Sequence, residues 1–285
     1  MIALLLIVSI IAQVAQQVCR KEYSKKTSGT PICFSVIGVF STLVYFLIMS
    51  KGRINVTLDM LPYILLFAAN YTCAYIMTNF AIKHGPLSLT SLIISCSVVV
   101  PLIYGITFLS EPVTVVPLIG FILLFASITF VSEPWKKEDT VITFKWVLYV
   151  GLAFLCNGIC VTVQKLFQIK DMGVHSNEFM ICSLLITFLV IFIFALIREI
   201  KELKNIFKKE RVIWPLLCGG GNGVANQLTM ILAVSLPASF LYPVQSAGGI
   251  ILTAAVSMLF YKEKMSVCQK IGFVLGVVAI VMFNI

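Results

Sequence analysis

Apolar runs of roughly 18–24 residues, each bounded by a short charged cluster, follow one another along the whole chain, and that is the length an α-helix needs to cross about 30 Å of hydrocarbon. Lipid offers a backbone no water to bond, so only helices and closed barrels satisfy their own amides there. A barrel would be written as ~10-residue segments of alternating polarity, a pattern this sequence lacks. Composition agrees with helices. Hydrophobic residues make up 60% of the chain and charged ones 12%, with a mean hydropathy of +1.04, which excludes a water-soluble globular domain. The fold class is therefore all-α integral membrane, multi-pass in the cell membrane, with the lipid bilayer as its constant partner.

Ten spans are expected, at residues 1–19, 31–50, 61–82, 86–109, 113–132, 144–166, 177–197, 212–235, 238–261 and 267–285. The first has no basic leader and no small-residue cleavage site, so it reads as a retained helix, not a signal peptide. A charged linker, 133–143, divides the chain into a first repeat, 1–132, and a second, 144–285. Between spans 7 and 8, Ile200, Leu203, Ile206 and Phe207 recur at helical spacing among lysines, the pattern of a short helix lying in the membrane interface. The formal net charge of +9 suits basic loops meeting anionic headgroups. No loop is long enough for a folded nucleic-acid-binding module, so no nucleic-acid partner is expected.

The two halves repeat each other. Residues 108–131 shifted by 152 meet residues 260–283, pairing Phe108 with Phe260, Glu111 with Glu263, Val115 with Val267 and Ile119-Gly120-Phe121 with Ile271-Gly272-Phe273. The same shift aligns Asn70 with Asn222 and Tyr75 with Gln227, while a shift of 148 aligns Gln16 with Gln164. Five spans per half bring the second half into the bilayer from the opposite side, which makes the pair an inverted repeat. Of the 21 Lys and Arg residues, 17 follow odd-numbered spans, those in the first turns of the next span (Lys145 and Lys270) included, and the positive-inside rule then puts both termini outside the cytoplasm.

Ten helices in two five-helix halves, each closing on a Glu-bearing turn and a Gly-bearing last helix, resemble the drug/metabolite transporter superfamily, and its EamA-like branch most of all. The stretches that carry the resemblance are SEPVTVVPLIGFILLFASI and KEKMSVCQKIGFVLGVVAI, with the turns at 81–86 and 233–238. The resemblance spans nearly the whole chain. It implies a secondary transporter of small metabolites, with a cavity between the halves and cytoplasmic termini; on orientation it opposes the charge count. The superfamily's small multidrug members carry a glutamate in their first helix, where this chain has Gln13, Gln16 and Gln17.

Ionisable residues inside a span mark ion or proton pathways, and here none is expected mid-span. Asp59, Glu111, Glu178 and Glu263 sit at span ends, and His84 and His175 in or beside loops. Glu111 and Glu263 read as residues that terminate helices or lock turns. The nine cysteines include no CxxC pair and read as small hydrophobes. Neither a nucleophile–base pair nor a ligand cluster is apparent, so neither an enzyme nor a metal or other cofactor is expected.

What remains is neutral polarity. Amides in hydrocarbon need partners, so those on spans 1, 3, 6, 8 and 9 should face the bundle interior, either bonding helix to helix or lining a substrate cavity. The candidate substrate-binding residues are Asn226 and Gln227 first, then Gln16, Tyr75 and Gln245, with Asn70, Asn222 and Gln164. The run Gly219-Gly220-Gly221-Asn222-Gly223 weakens span 8; it allows either close helix packing or a hinge. The expectation is a secondary transporter that moves a small polar or amphipathic molecule, amino-acid-like or drug-like, by alternating access, as a monomer or homodimer. A proton is a candidate coupling ion. A lipid or lipid-linked sugar flippase and a non-transporting membrane scaffold are the alternatives.

Overall fold

The computed structural model of the chain describes residues 2–26, 30–52, 55–84, 93–94, 96–109, 115–132, 143–203, 209–261 and 266–282, and these are almost entirely helical. The α-helices are α1 (Ile2–Lys26), α2 (Pro31–Met49), α3 (Leu61–His84), α4 (Val99–Phe108), α5 (Val115–Ser132), α6 (Phe144–Asp171), α7 (Ser176–Arg198), α8 (Ile200–Leu203), α9 (Lys209–Ser235), α10 (Ala238–Tyr261) and α11 (Val267–Met282). Among the described residues no strand occurs, and five helices are long and apolar enough to cross a membrane: those at Ile2–Arg20, Pro31–Met49, Leu58–Thr78, Phe144–Asp171 and Ser176–Arg198. Glu111 and Glu263, Ile206 and Phe207, most of the linker, and the side chains of Gln17 and His84 lie outside the described residues.

Two helices outrun their expected ends. α1 continues to Lys26 and α6 to Asp171, whereas the sequence placed their ends at residues 19 and 166. A hydropathy boundary falls where charge begins, but Arg, Lys, Glu and Gln are good helix formers, so the backbone carries on. Helix starts follow local chemistry. Thr30 caps α2 by accepting the Cys33 N–H at 3.3 Å, with Pro31 as the first helical residue. The α6–α7 turn passes through positive φ at Met172 (53°) and Gly173 (78°), and the Asp171 carboxylate accepts the His175 N–H to close it.

The chain divides into two compact units, Met1–Ile76 with Val163–Val234 and Met77–Thr162 with Ser235–Ile285. Each takes material from both sequence halves. In the first, α2 packs on α7, its counterpart in the other repeat. Phe67 and Phe167 both meet Phe179, at 5.2 and 4.4 Å between ring centroids, and Phe67, Phe179 and Leu184 are fully buried. α9 runs unbroken through its glycine run and through Pro215. A Cβ on Gly219 would stand 2.2 Å from the Gly38 carbonyl oxygen, and one on Gly223 2.4 Å from Tyr45. Ser41 and Thr42 donate across the same seam to Leu216 and Gly219 carbonyls at 2.8 and 3.0 Å. The glycines at 219 and 223 thus serve close packing of α9 on α2.

In the second unit, α5 packs on α11 and α10 on α4, α5 and α11. α5 and α11 are again counterparts, held close by a hydroxyl on one and a glycine on the other. The Ser127 hydroxyl donates to the Gly272 carbonyl at 2.6 Å, and a Cβ on Gly276 would come within 2.7 Å of that hydroxyl. Gly158 of α6 lies equally tight: a Cβ there would be 2.5 Å from Val100 of α4. Asn157, a neutral polar residue expected to face inward, donates to Ser97 at 2.6 Å.

Candidate functional site

Polarity concentrates in the first unit where α1, α3, α6 and α9 meet. Asn222, at the middle of α9, is the hub. Its amide N–H donates to Gln16 Oε1 at 3.0 Å, and its Oδ1 accepts from Asn226 at 2.9 Å and from the Tyr71 hydroxyl at 3.4 Å. Asn226 Oδ1 in turn accepts from Gln164 Nε2 at 3.4 Å. Asn222 and Asn226 share a helix side because they are four residues apart. The result is a continuous amide path from α1 through α9 to α6, with Gln16 and Gln164 both buried.

Four of the eight candidate residues therefore come together: Gln16, Gln164, Asn222 and Asn226. The others fall elsewhere. Asn70 turns back on its own helix, donating to the Leu66 carbonyl at 2.8 Å; Tyr71, its neighbour, holds the place on the network. Gln227 keeps a buried Oε1 without a hydrogen-bond partner among the described residues. Tyr75 borders a small recess described below. Gln245 is buried on α10 and belongs to the second unit.

Next to the network, Arg20, Thr42, Tyr71, Tyr75, Cys218 and Asn222 surround a recess of about 10 Å³, room for about one water molecule. The Arg20 guanidinium lies 5.7 Å from the centroid of the Tyr75 ring, a cation–π contact, and within hydrogen-bonding reach of the Cys218 thiol and the Tyr75 hydroxyl. Arg20 was read from sequence as the first charge beyond span 1. It became part of the site because α1 does not stop there. The signal was present: Arg20 is four residues after Gln16, on the same helix side.

A second cation corrects the expectation of apolar span interiors. Lys165 is buried in α6, and its Nζ donates to the Ala233 carbonyl at 2.7 Å. Ala233 lies in the last turn of α9, where carbonyls lack helical partners and a positive charge meets the negative end of the helix dipole. Lys165 is thus a helix-terminating group. The expected boundary at residue 166 put it at the span's edge, whereas α6 runs on to Asp171. Among the described residues no cluster of metal-ligating side chains occurs.

His175 and Asp171, between α6 and α7, form an ion pair at 2.8 Å. The hydrogen bond that the His175 ring donates to the Asp171 carboxylate raises the His175 pKa above its usual 6.5. Glu178, in the first turn of α7, is buried where the helix dipole favours a negative charge.

Comparison with known proteins places this geometry. A search of curated proteins finds no match. A crystal structure of another protein is similar over 99% of this chain and 95% of that one, with a TM-score of 0.79 at 12% identity, a likeness of fold. The EamA-like transporter family matches residues 1–133 and again residues 144–285. Two family matches that together cover almost the whole chain make this multi-pass membrane protein a member of the EamA-like transporter family, within the drug/metabolite transporter superfamily.

Proposed function

We propose that the protein is a secondary active transporter of a small polar or amphipathic metabolite, working by alternating access with ten crossings in two inverted repeats, 1–132 and 144–285. The observation that carries this reading is the amide network of Gln16, Asn222, Asn226 and Gln164, with Tyr71 on its flank. It joins helices that the repeat makes equivalent, α1 with α6 and α3 with α9, and transporters of this architecture bind substrate near mid-membrane between such helices. Interhelical hydrogen bonds in membranes average only ~0.6 kcal/mol each. Four linked amides, Gln16 and Gln164 buried and Asn222 and Asn226 half-buried, are thus a weak way to hold a bundle and a good way to hold a polar ligand. Pairing of α2 with α7 and of α5 with α11 supports the two-fold relation of the repeats. Uptake into proteoliposomes across a panel of metabolites, with imposed ion and pH gradients, tests the proposal. A protein inert to the whole panel refutes it.

One observation favours a lipid substrate instead. An apolar groove of about 540 Å³ runs along α2, α7, α8 and α9, lined by Phe40, Phe188, Phe192, Leu196, Ile200 and Leu216 among others. Fluorescent lipid crossing the same vesicles, with soluble metabolites left untouched, would select the flippase reading.

A further inference from the structure

We infer that the ligand of this site carries a carboxylate and that Arg20 binds it; the inference rests on the transport reading of the amide network and names the chemistry of its substrate.

The position of the guanidinium is the first observation. The groups around it come from the central turns of their helices: Thr42 in α2, Tyr71 and Tyr75 in α3, and Cys218 and Asn222 in α9. A cation at mid-span depth is costly and is retained where it has a partner or a task. Lys165 has a structural partner in a helix-terminal carbonyl. Among the described residues Arg20 meets only uncharged side-chain partners. The groups that act on it are Tyr75, Cys218 and Tyr71, a thiol and two phenols, all neutral at physiological pH. Among the described residues no carboxylate pairs with it, and α2 contributes no charged side chain to the recess.

The second observation is what the guanidinium still offers. It carries five N–H donors in a planar fork and no acceptor. The thiol and the phenol use at most part of that fork, and neither returns a negative charge. A carboxylate matches it with two parallel hydrogen bonds. Recess size selects among anions. At about 10 Å³ the space holds about one water molecule, so any head group must push the lining side chains apart, a planar carboxylate less than a tetrahedral phosphoryl or sulfate group. The Tyr71 and Tyr75 rings stand beside it, 6.0 Å apart, and give an apolar wall to whatever the carboxylate is attached to. The amide network begins at the same recess, since Asn222 borders both. An anionic head at Arg20 would thus leave the rest of a polar ligand facing Gln16 and Asn226.

The test uses the full-length purified protein in lipid nanodiscs, with binding read by thermal shift and titration. The probes are carboxylates (L-amino acids, 2-oxo acids and arylacetates), each beside its primary amide, and inorganic phosphate as a separate arm. At least one carboxylate is expected to raise Tm and its amide to leave it unchanged. Arg20→Gln should abolish that difference, and Arg20→Lys, which keeps charge without the fork, should weaken carboxylate binding roughly tenfold. If Arg20→Gln does not fold, Arg20→Lys decides: undiminished affinity overturns the inference. So does a wild-type protein that treats acids and amides alike, whether by binding both or neither. A phosphate shift that exceeds every carboxylate shift and is lost in Arg20→Gln overturns the carboxylate assignment. Proteoliposome uptake separates the two claims. Uptake indifferent to substrate charge leaves transport standing and removes the anion site, whereas carboxylate binding through Arg20 without any uptake removes transport.

Discussion

Adding one methyl group to each of two neighbouring glycines should move stability in opposite directions. Gly219 and Gly220 are consecutive in an unbroken helix, so alanine brings each the same gain in helix propensity, about 1 kcal/mol. Their surroundings differ. A Cβ at Gly220 meets nothing within 4 Å, while one at Gly219 would lie 2.2 Å from the Gly38 carbonyl oxygen and 2.5 Å from Ser41 Cβ. Ordinary contact begins near 3.4 Å, so α2 and α9 must part by roughly 1 Å at that point. Such a shift takes the Thr42–Gly219 and Ser41–Leu216 hydrogen bonds, now 3.0 and 2.8 Å, out of bonding range. Their loss costs about 1.2 kcal/mol at ~0.6 each, and the overpacking itself about 1–3 kcal/mol. After the propensity gain, Gly219→Ala should lose about 1–3 kcal/mol and Gly220→Ala should gain up to about 1 kcal/mol. Thermal and denaturant unfolding of the two variants in one lipid composition measures both. A Gly219→Ala protein as stable as its Gly220→Ala counterpart would refute the packing account and restore the hinge.

Two further outcomes follow from the polar groups. Asn222→Ala removes the hub of three hydrogen bonds and should cost about 2 kcal/mol at ~0.6 per bond, together with ligand-induced stabilisation; Asn70→Ala, which breaks only a bond to its own helix, should stay within about 0.5 kcal/mol of wild type. Equal behaviour of the pair in unfolding and ligand thermal shift would contradict the placement of the network. His175 should titrate above 6.5, and Asp171→Asn should bring its midpoint back towards that value. Because the folded-state pKa is raised, the pair's stabilisation is complete below pH 6.5 and fades as pH rises through the higher midpoint. Histidine NMR on the two proteins reads this directly, and a midpoint indifferent to the substitution would remove the pairing.

The amino-acid sequence by itself determined the all-helical membrane class and the family. Span length, hydropathy and the repeat are properties of one helix or one alignment, and they survive without knowing any contact. It also singled out Gln16, Asn222, Asn226 and Gln164, which hydrogen-bond in series because amides in hydrocarbon must find partners. Tertiary structure decided what pattern could not. Tyr71 rather than Asn70 joins the network because one residue along a helix turns the side chain by about 100°. Gly219 packs and Gly220 does not for the same reason. Arg20 looked like a loop charge and Lys165 like the edge of its span because hydropathy ends a span where charge begins, whereas the backbone ends a helix where its hydrogen bonds do. Only the placed helices show that Lys165 terminates α9 and that Arg20 faces neutral groups.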